Sequence, residues 1–211
     1  MVQIRFGSAA DAPAIARVRH ESWRAAYAGI IPAETIERVT GRYDDGQEQA
    51  SFAARPWRLT LVAEQIPPVP PAAGPAGSVA QDAGGAVAAA GTQPAKVVGY
   101  ASYGPERTLP GVARTAGSGP ESGPDRRAEL YALYVAPGWW STGTGRALMG
   151  RVLGETRREG YPQITVWVLE QNARARRFYE RAGFRPQDRS HVLPELDGVT
   201  EVCYGQDLTP P

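Results

Sequence analysis

Apolar residues recur along the chain in two rhythms, an alternation of two and a stripe of three and four. The rhythms change places often enough to mark a mixed α/β protein. Val2-Gln-Ile4-Arg-Phe6 alternates as a half-buried strand does. Ser8 and Asp11 stand where a capping box would, with Asp for the usual Glu, and Ile15, Val18, Ser22 and Ala26 continue as one helix stripe ending near Tyr27. Gly29-Ile30-Ile31-Pro32 breaks that helix, and Pro32 suits the first turn of a second one over 33–39. One or two further helical turns are expected within 45–54. Strands follow at 57–64, by alternation, and at 97–103. Leu130 to Val135 is unbroken apolar and aromatic, the pattern of a strand covered on both faces. After Pro137-Gly138, Leu148, Met149, Val152 and Leu153 recur at helical spacing. Ile164 to Leu169 reads as another buried strand, rich in β-branched residues. Asn172, Ala175 and Tyr179 then share one helix face, and Gly183 is placed to stop that helix in a left-handed cap. Two last strands are expected at 184–191 and 200–208, the latter with Val202, Tyr204 and Leu208 near the sheet edge. The order predicts one α/β domain, a central mixed sheet with helices on both faces.

Two stretches interrupt the rhythm. Residues 67–95 hold ten Ala, six Pro and five Gly, no aromatic residue and a single charge, Asp82. Such a segment buries too little apolar surface to offset its ordering entropy, and it reads as a flexible insertion in a hairpin loop. Residues 105–127, with four Pro, four Gly and seven charged residues, read as a long loop before the central strand, placed to rim a cleft there. Neither resembles a second domain, so 1–211 is read as one.

Composition narrows the function classes. The 211 residues include 42% apolar ones, enough for a sizeable core. A net charge of +1, from 23 basic and 22 acidic residues, gives no field that argues for nucleic acid or an anionic membrane. Two His leave little for a metal site, and none is expected. Cys203 is the single cysteine, so no intrachain disulfide is possible and a reducing compartment is indicated. The chain opens on a strand rather than a signal peptide, and no run reaches transmembrane length. The expectation is a soluble cytoplasmic protein.

The chemistry sits at two places. Gly143-x-Gly145 joins a strand to a helix, and the first turn of a helix carries unpaired N–H groups and a partial positive charge, to which glycines give an anion close access. By itself the pair also fits a plain tight turn. A nucleotide-binding phosphate loop would end in Gly-Lys-Ser/Thr or follow G-x-G-x-x-G, and this one does neither. The second place is Asn172, Ala175, Tyr179 and Gly183-Phe184. With the first it resembles the Gcn5-related N-acetyltransferase (GNAT) superfamily, whose acetyl-coenzyme A loop reads Gln/Arg-x-x-Gly-x-Gly/Ala. The second motif matches throughout. The first departs at Trp140, where the family has Gln or Arg.

The resemblance implies transfer of an acetyl group from acetyl-coenzyme A to a primary amine by direct attack in a ternary complex. Ser141, Thr142, Gly143, Thr144, Gly145 and Arg146 would hold the diphosphate, and the strand edge at Leu133, Tyr134 and Val135 the thioester arm, with Asn172 as a further contact or a helix N-cap. Tyr179, protonated at pH 7, would give a proton to the departing thiolate. Glu129 matches a family glutamate and would act as the base, although strict alternation puts it on the face of Leu133 and Val135, so that a bulge is needed to aim it. Glu21 and Glu170 stand behind it. Trp23 and Tyr27, on the first helix, are candidate substrate contacts, or simply pack helix on sheet. The partner expected is a small-molecule, peptide or protein amine, with a homodimer left open. An acyl-coenzyme A sensor without turnover is the alternative.

Overall fold

The computed structural model describes residues 1–41, 58–66, 96–107 and 126–208. The helical turns expected at 45–54, the 67–95 segment and most of the 105–127 loop lie outside them. Eleven main elements follow in the expected order among these residues: β1 Val2–Phe6, α1 Ala12–Ala26, α2 Ala33–Thr40, β2 Leu59–Gln65, β3 Val97–Pro105, β4 Arg127–Val135, α3 Thr144–Arg158, β5 Gln163–Leu169, α4 Ala173–Arg181, β6 Arg185–Leu193 and β7 Val199–Asp207. No helix among the described residues is long and apolar enough to cross a membrane.

The strands form one sheet in the order β1-β2-β3-β4-β5-β7-β6. Every neighbouring pair is antiparallel except β4 and β5. The last strand therefore enters between β5 and β6 and leaves β6 at the edge, which is why Cys203 and Tyr204 are fully buried in a segment whose alternation is imperfect. Burial between β5 and β6 pushes the Cys203 thiol up to about 12, against the opposing charge of Arg189, so it stays protonated and inert.

Helices cover both faces. Leu148, Met149 and Val152 of α3 pack with Leu61, Tyr103 and Leu130, while Ile15 and Val18 of α1 pack with Val62 and Tyr100 on the other side. Each such side chain taken fully out of water contributes about 2 kcal/mol. The expected box at the start of α1 is made: the Asp11 carboxylate accepts the Ser8 N–H at 2.8 Å and is held below the usual carboxylate range, first by its bond to Arg5. Gly183 ends α4 at φ 96°, the left-handed conformation expected of it.

Two irregularities in β4 shape everything that follows. Opposite the Ser102–Tyr103 step the register slips, from Ser102↔Ala132 to Tyr103↔Leu130, so Tyr131 is an extra residue. Cross-strand partners share a face, and the bulge moves Glu129 off the face of Leu133 and Val135 onto that of Ala132 and Tyr134. This is the bulge the alternation called for. The second irregularity is that β4 and β5 pair only from Arg127↔Gln163 to Leu130↔Val166. Beyond that point β4 stays on β3 and β5 stays on β7, so the facing edges of the two central strands part from each other.

Candidate active site

At the open end of that gap the chain turns through Ser141 (φ 64°) and Gly143 (φ 91°) into α3. The first helical bond runs from the Ala147 N–H to the Gly143 carbonyl at 3.0 Å, so the N–H groups of Thr144, Gly145 and Arg146 precede the ladder. Thr142 Oγ1 donates to the Trp139 carbonyl at 2.8 Å and sits 2.9 Å from Thr144 Oγ1, which fixes the turn from within. A side chain at Gly143 meets nothing within 4 Å but needs a strained φ, whereas a Cβ at Gly145 would touch the Phe178 ring at 3.4 Å. The loop thus exposes backbone donors at a helix start and leaves their approach clear, which fits a diphosphate group.

Trp140 replaces a polar family residue without leaving a gap. Its Nε1–H donates to the Val135 carbonyl at 2.7 Å, and the Arg174 guanidinium lies over its ring at 4.0 Å. The sequence missed Arg174, because only the packing of α4 against this loop brings its charge here.

Tyr179 hangs from α4 with its ring edge-on to Phe178 and Phe184, at 5.5 and 5.8 Å. Burial first, then the nearby Tyr134 and Glu201, raise its hydroxyl above the usual value of 10, so it holds its proton. Asn172 caps the helix, its Oδ1 accepting the Ala175 N–H at 3.0 Å.

On the opposite face of the sheet, below α1 and α2, aromatic and charged groups gather. Ser22 Oγ donates to the Val135 carbonyl at 2.9 Å and ties α1 to this end of β4. Trp23 and Tyr27 stand edge to face at 5.1 Å and pack toward Ile31, Ile36, Leu169 and Leu196. They pack this end of the helix on the sheet. Glu129 is fully buried. Its Oε2 accepts the Arg107 N–H at 2.9 Å and its Oε1 accepts Arg107 Nε at 3.0 Å, with Nη2 of the same arginine close by. Glu21 is paired with Arg17 at 3.1 Å, and Glu170 is exposed.

Glu201 was not a sequence candidate. It sits on β7 across from Leu169, on the sheet face shared by Glu129, Thr165 and Trp167, and level with the open stretch of the gap. No hydrogen bond reaches its carboxylate from the described residues, and burial lifts its carboxyl to about 7, against the opposing charge of Arg107.

A family model for the acetyltransferase (GNAT) family matches residues 56–184, a span that holds the gap, the loop and α4. The chain belongs to that family. An uncharacterized N-acetyltransferase of Mycobacterium tuberculosis is 41% identical over 63 residues, which is 30% of this chain and 40% of the relative. The match to it therefore spans well under half of that relative's length. An uncharacterized N-acetyltransferase of Bacillus subtilis is 27% identical over 172 residues, 82% of this chain and 74% of the relative. Among solved structures, the PaiA N-acetyltransferase from Thermoplasma acidophilum in complex with coenzyme A superimposes with a TM-score of 0.62 at 19% identity, covering 98% of this chain and 99% of that one. That likeness shows the fold, a seven-stranded mixed sheet flanked by helices.

Proposed function

We propose that this GNAT protein is an N-acetyltransferase that moves an acetyl group from acetyl-coenzyme A to a primary amine by direct attack in a ternary complex. The observation that carries the reading is the parting of β4 from β5 beyond Leu130↔Val166, with the Ser141–Arg146 donors at its open end and Tyr179 nearby. When bound, acetyl-coenzyme A supplies an activated acyl carbon, at which a C–N bond forms as the C–S bond breaks.

Backbone N–H groups from Ser141 to Arg146 hold the diphosphate, with the guanidinium of Arg174 beside them. The parted edge at Leu133, Tyr134 and Val135 offers ladder bonds to an extended pantetheine arm, apart from the Val135 carbonyl, which already accepts from Ser22 and Trp140. Tyr179 gives its hydroxyl proton to sulfur as negative charge gathers there. Its high affinity for that proton keeps it loaded at any physiological pH. The acceptor reaches the thioester from the face of Trp23 and Tyr27.

The sensor reading draws support from one observation, that both oxygens of Glu129 are committed to Arg107. Coenzyme A release measured against a panel of primary amines separates the two. Amine-dependent release, with acetylated amine formed in equal amount, supports transfer. Binding of acetyl-coenzyme A with no release across the panel leaves the sensor.

A further inference from the structure

We propose that Glu201, rather than Glu129, is the carboxylate that takes the proton from the acceptor amine. The inference rests on the transferase reading and deepens it.

A base must reach the amine nitrogen and have a lone pair to offer. Glu129 meets neither need: it has no exposed surface, and the Arg107 side chain and backbone N–H occupy both of its oxygens. Glu201 meets both. Its side chain keeps 23% of its surface, and no hydrogen bond from the described residues engages it. The ladder puts it opposite Leu169, three residues past the last β4–β5 pair at Val166, so it stands beside the parted stretch while Glu129 stands beside the closed one. Tyr179 belongs to the core cluster of Val166 and Val168 on one face of the sheet, whereas Glu201 lies on the face of Thr165 and Trp167. Acid and base thus approach the gap from opposite faces of the sheet.

The groups around Glu201 come from every neighbouring element. Tyr27 faces it from α1, Glu129 and Tyr134 from β4, Arg107 from the end of the β3 segment, Tyr179 from α4, and Glu195 from the turn before β7. His191 on β6 sits with Nε2 3.6 Å from Oε2, beyond hydrogen-bond range, and its ring is set edge-on to Trp167 at 4.6 Å. Burial holds His191 below its usual value, so at pH 7 it is neutral and the contact is not an ion pair.

In the step itself an ammonium enters and loses one proton to the Glu201 carboxylate, which passes it to solvent. The neutral nitrogen bonds to the acyl carbon as the C–S bond breaks. Tyr179 protonates sulfur, and the second proton lost by nitrogen restores the tyrosine. One ammonium and one thioester give one amide, one thiol and one solvent proton.

Glu201→Gln keeps the side chain's size and removes its basicity. At pH 7 turnover should fall roughly 10²- to 10⁴-fold, with recovery at higher pH where more amine is already neutral, and with acetyl-coenzyme A affinity unchanged. Glu201→Asp, which keeps a carboxylate but withdraws it, should lose less and serves if the Gln variant does not fold. Infrared carboxyl titration of the protein alone should show a group ionising near pH 7 that is missing in Glu201→Gln. Native turnover and pH profile in the Gln variant, with chemistry rate-limiting, would overturn the assignment while leaving the transferase intact. An absence of transfer by the unaltered protein with every amine would instead remove both.

Discussion

At the scale of single residues, Tyr179 and Glu201 each give a sharp expectation. Tyr179→Phe keeps the edge-on packing with Phe178 and Phe184 and deletes only the hydroxyl. Folding and cofactor affinity should hold, and turnover should drop roughly 10²- to 10⁴-fold, the span for losing a positioned proton donor. Stopped-flow turnover beside calorimetry decides it, since an equal fall in affinity would make the hydroxyl a binding group. The second concerns stability. Glu201 ionises at about 7 in the folded chain against 4.5 for an ordinary glutamate, so folding favours its protonated form. The contribution is fully present below pH 4.5 and is lost as pH rises through 7. Glu201→Gln should therefore be more stable than the native protein by about 2 kcal/mol at pH 8, after discounting for partial exposure, with the advantage shrinking toward pH 5. Urea unfolding at the two pH values checks the sign. A variant less stable at pH 8 would show that the carboxylate is stabilised in the fold.

At the scale of elements, the turn into α3 and the start of α4 act as one unit. In the sequence, Trp140 departs from the Gln or Arg of the family loop. Its indole in fact bonds the end of β4 and carries Arg174 above it, so the charge comes from a neighbouring helix. Spacing along the chain could not reveal this, because Trp140 and Arg174 meet only where α4 packs on the turn before α3. Arg174→Ala should weaken acetyl-coenzyme A binding about fivefold at low salt and less at high salt, with unfolding stability nearly unchanged. Calorimetry at two ionic strengths reads it, and a salt-independent loss would mean that Arg174 acts through packing. The bulge at Tyr131 shows the same contrast from the other side. Alternation gave notice that Glu129 faced the wrong way, and the register slip turns it. What the sequence had no means to show is that Arg107 then occupies it.

At the scale of the molecule, element order, the mixed sheet and the glycine turn into α3 were legible, because strand and helix rhythms and a two-part motif carry them locally. Glu201 was not. It lies in a strand of imperfect alternation with no motif around it, and its character comes from β5, β6, α1 and the turn at Glu195 acting together. The 67–95 segment should be dispensable to this assembly: its two ends are already clasped, Gln65 N–H donating to the Lys96 carbonyl at 2.8 Å. A short Gly-Ser turn in its place should change unfolding free energy by less than about 1 kcal/mol, and a loss of several would show that the segment packs on the domain. The central claim is that the turn from Ser141 to Arg146 holds the diphosphate of acetyl-coenzyme A, and one calorimetric comparison tests it most directly. Gly143→Asn and Gly143→Asp share shape and both tolerate the left-handed backbone, so they differ at this site by a charge. Acetyl-coenzyme A should bind the native protein in the micromolar range, bind the Asn variant more weakly and fail to bind the folded Asp variant. Undiminished binding by the Asp variant would place the diphosphate elsewhere and contradict the account.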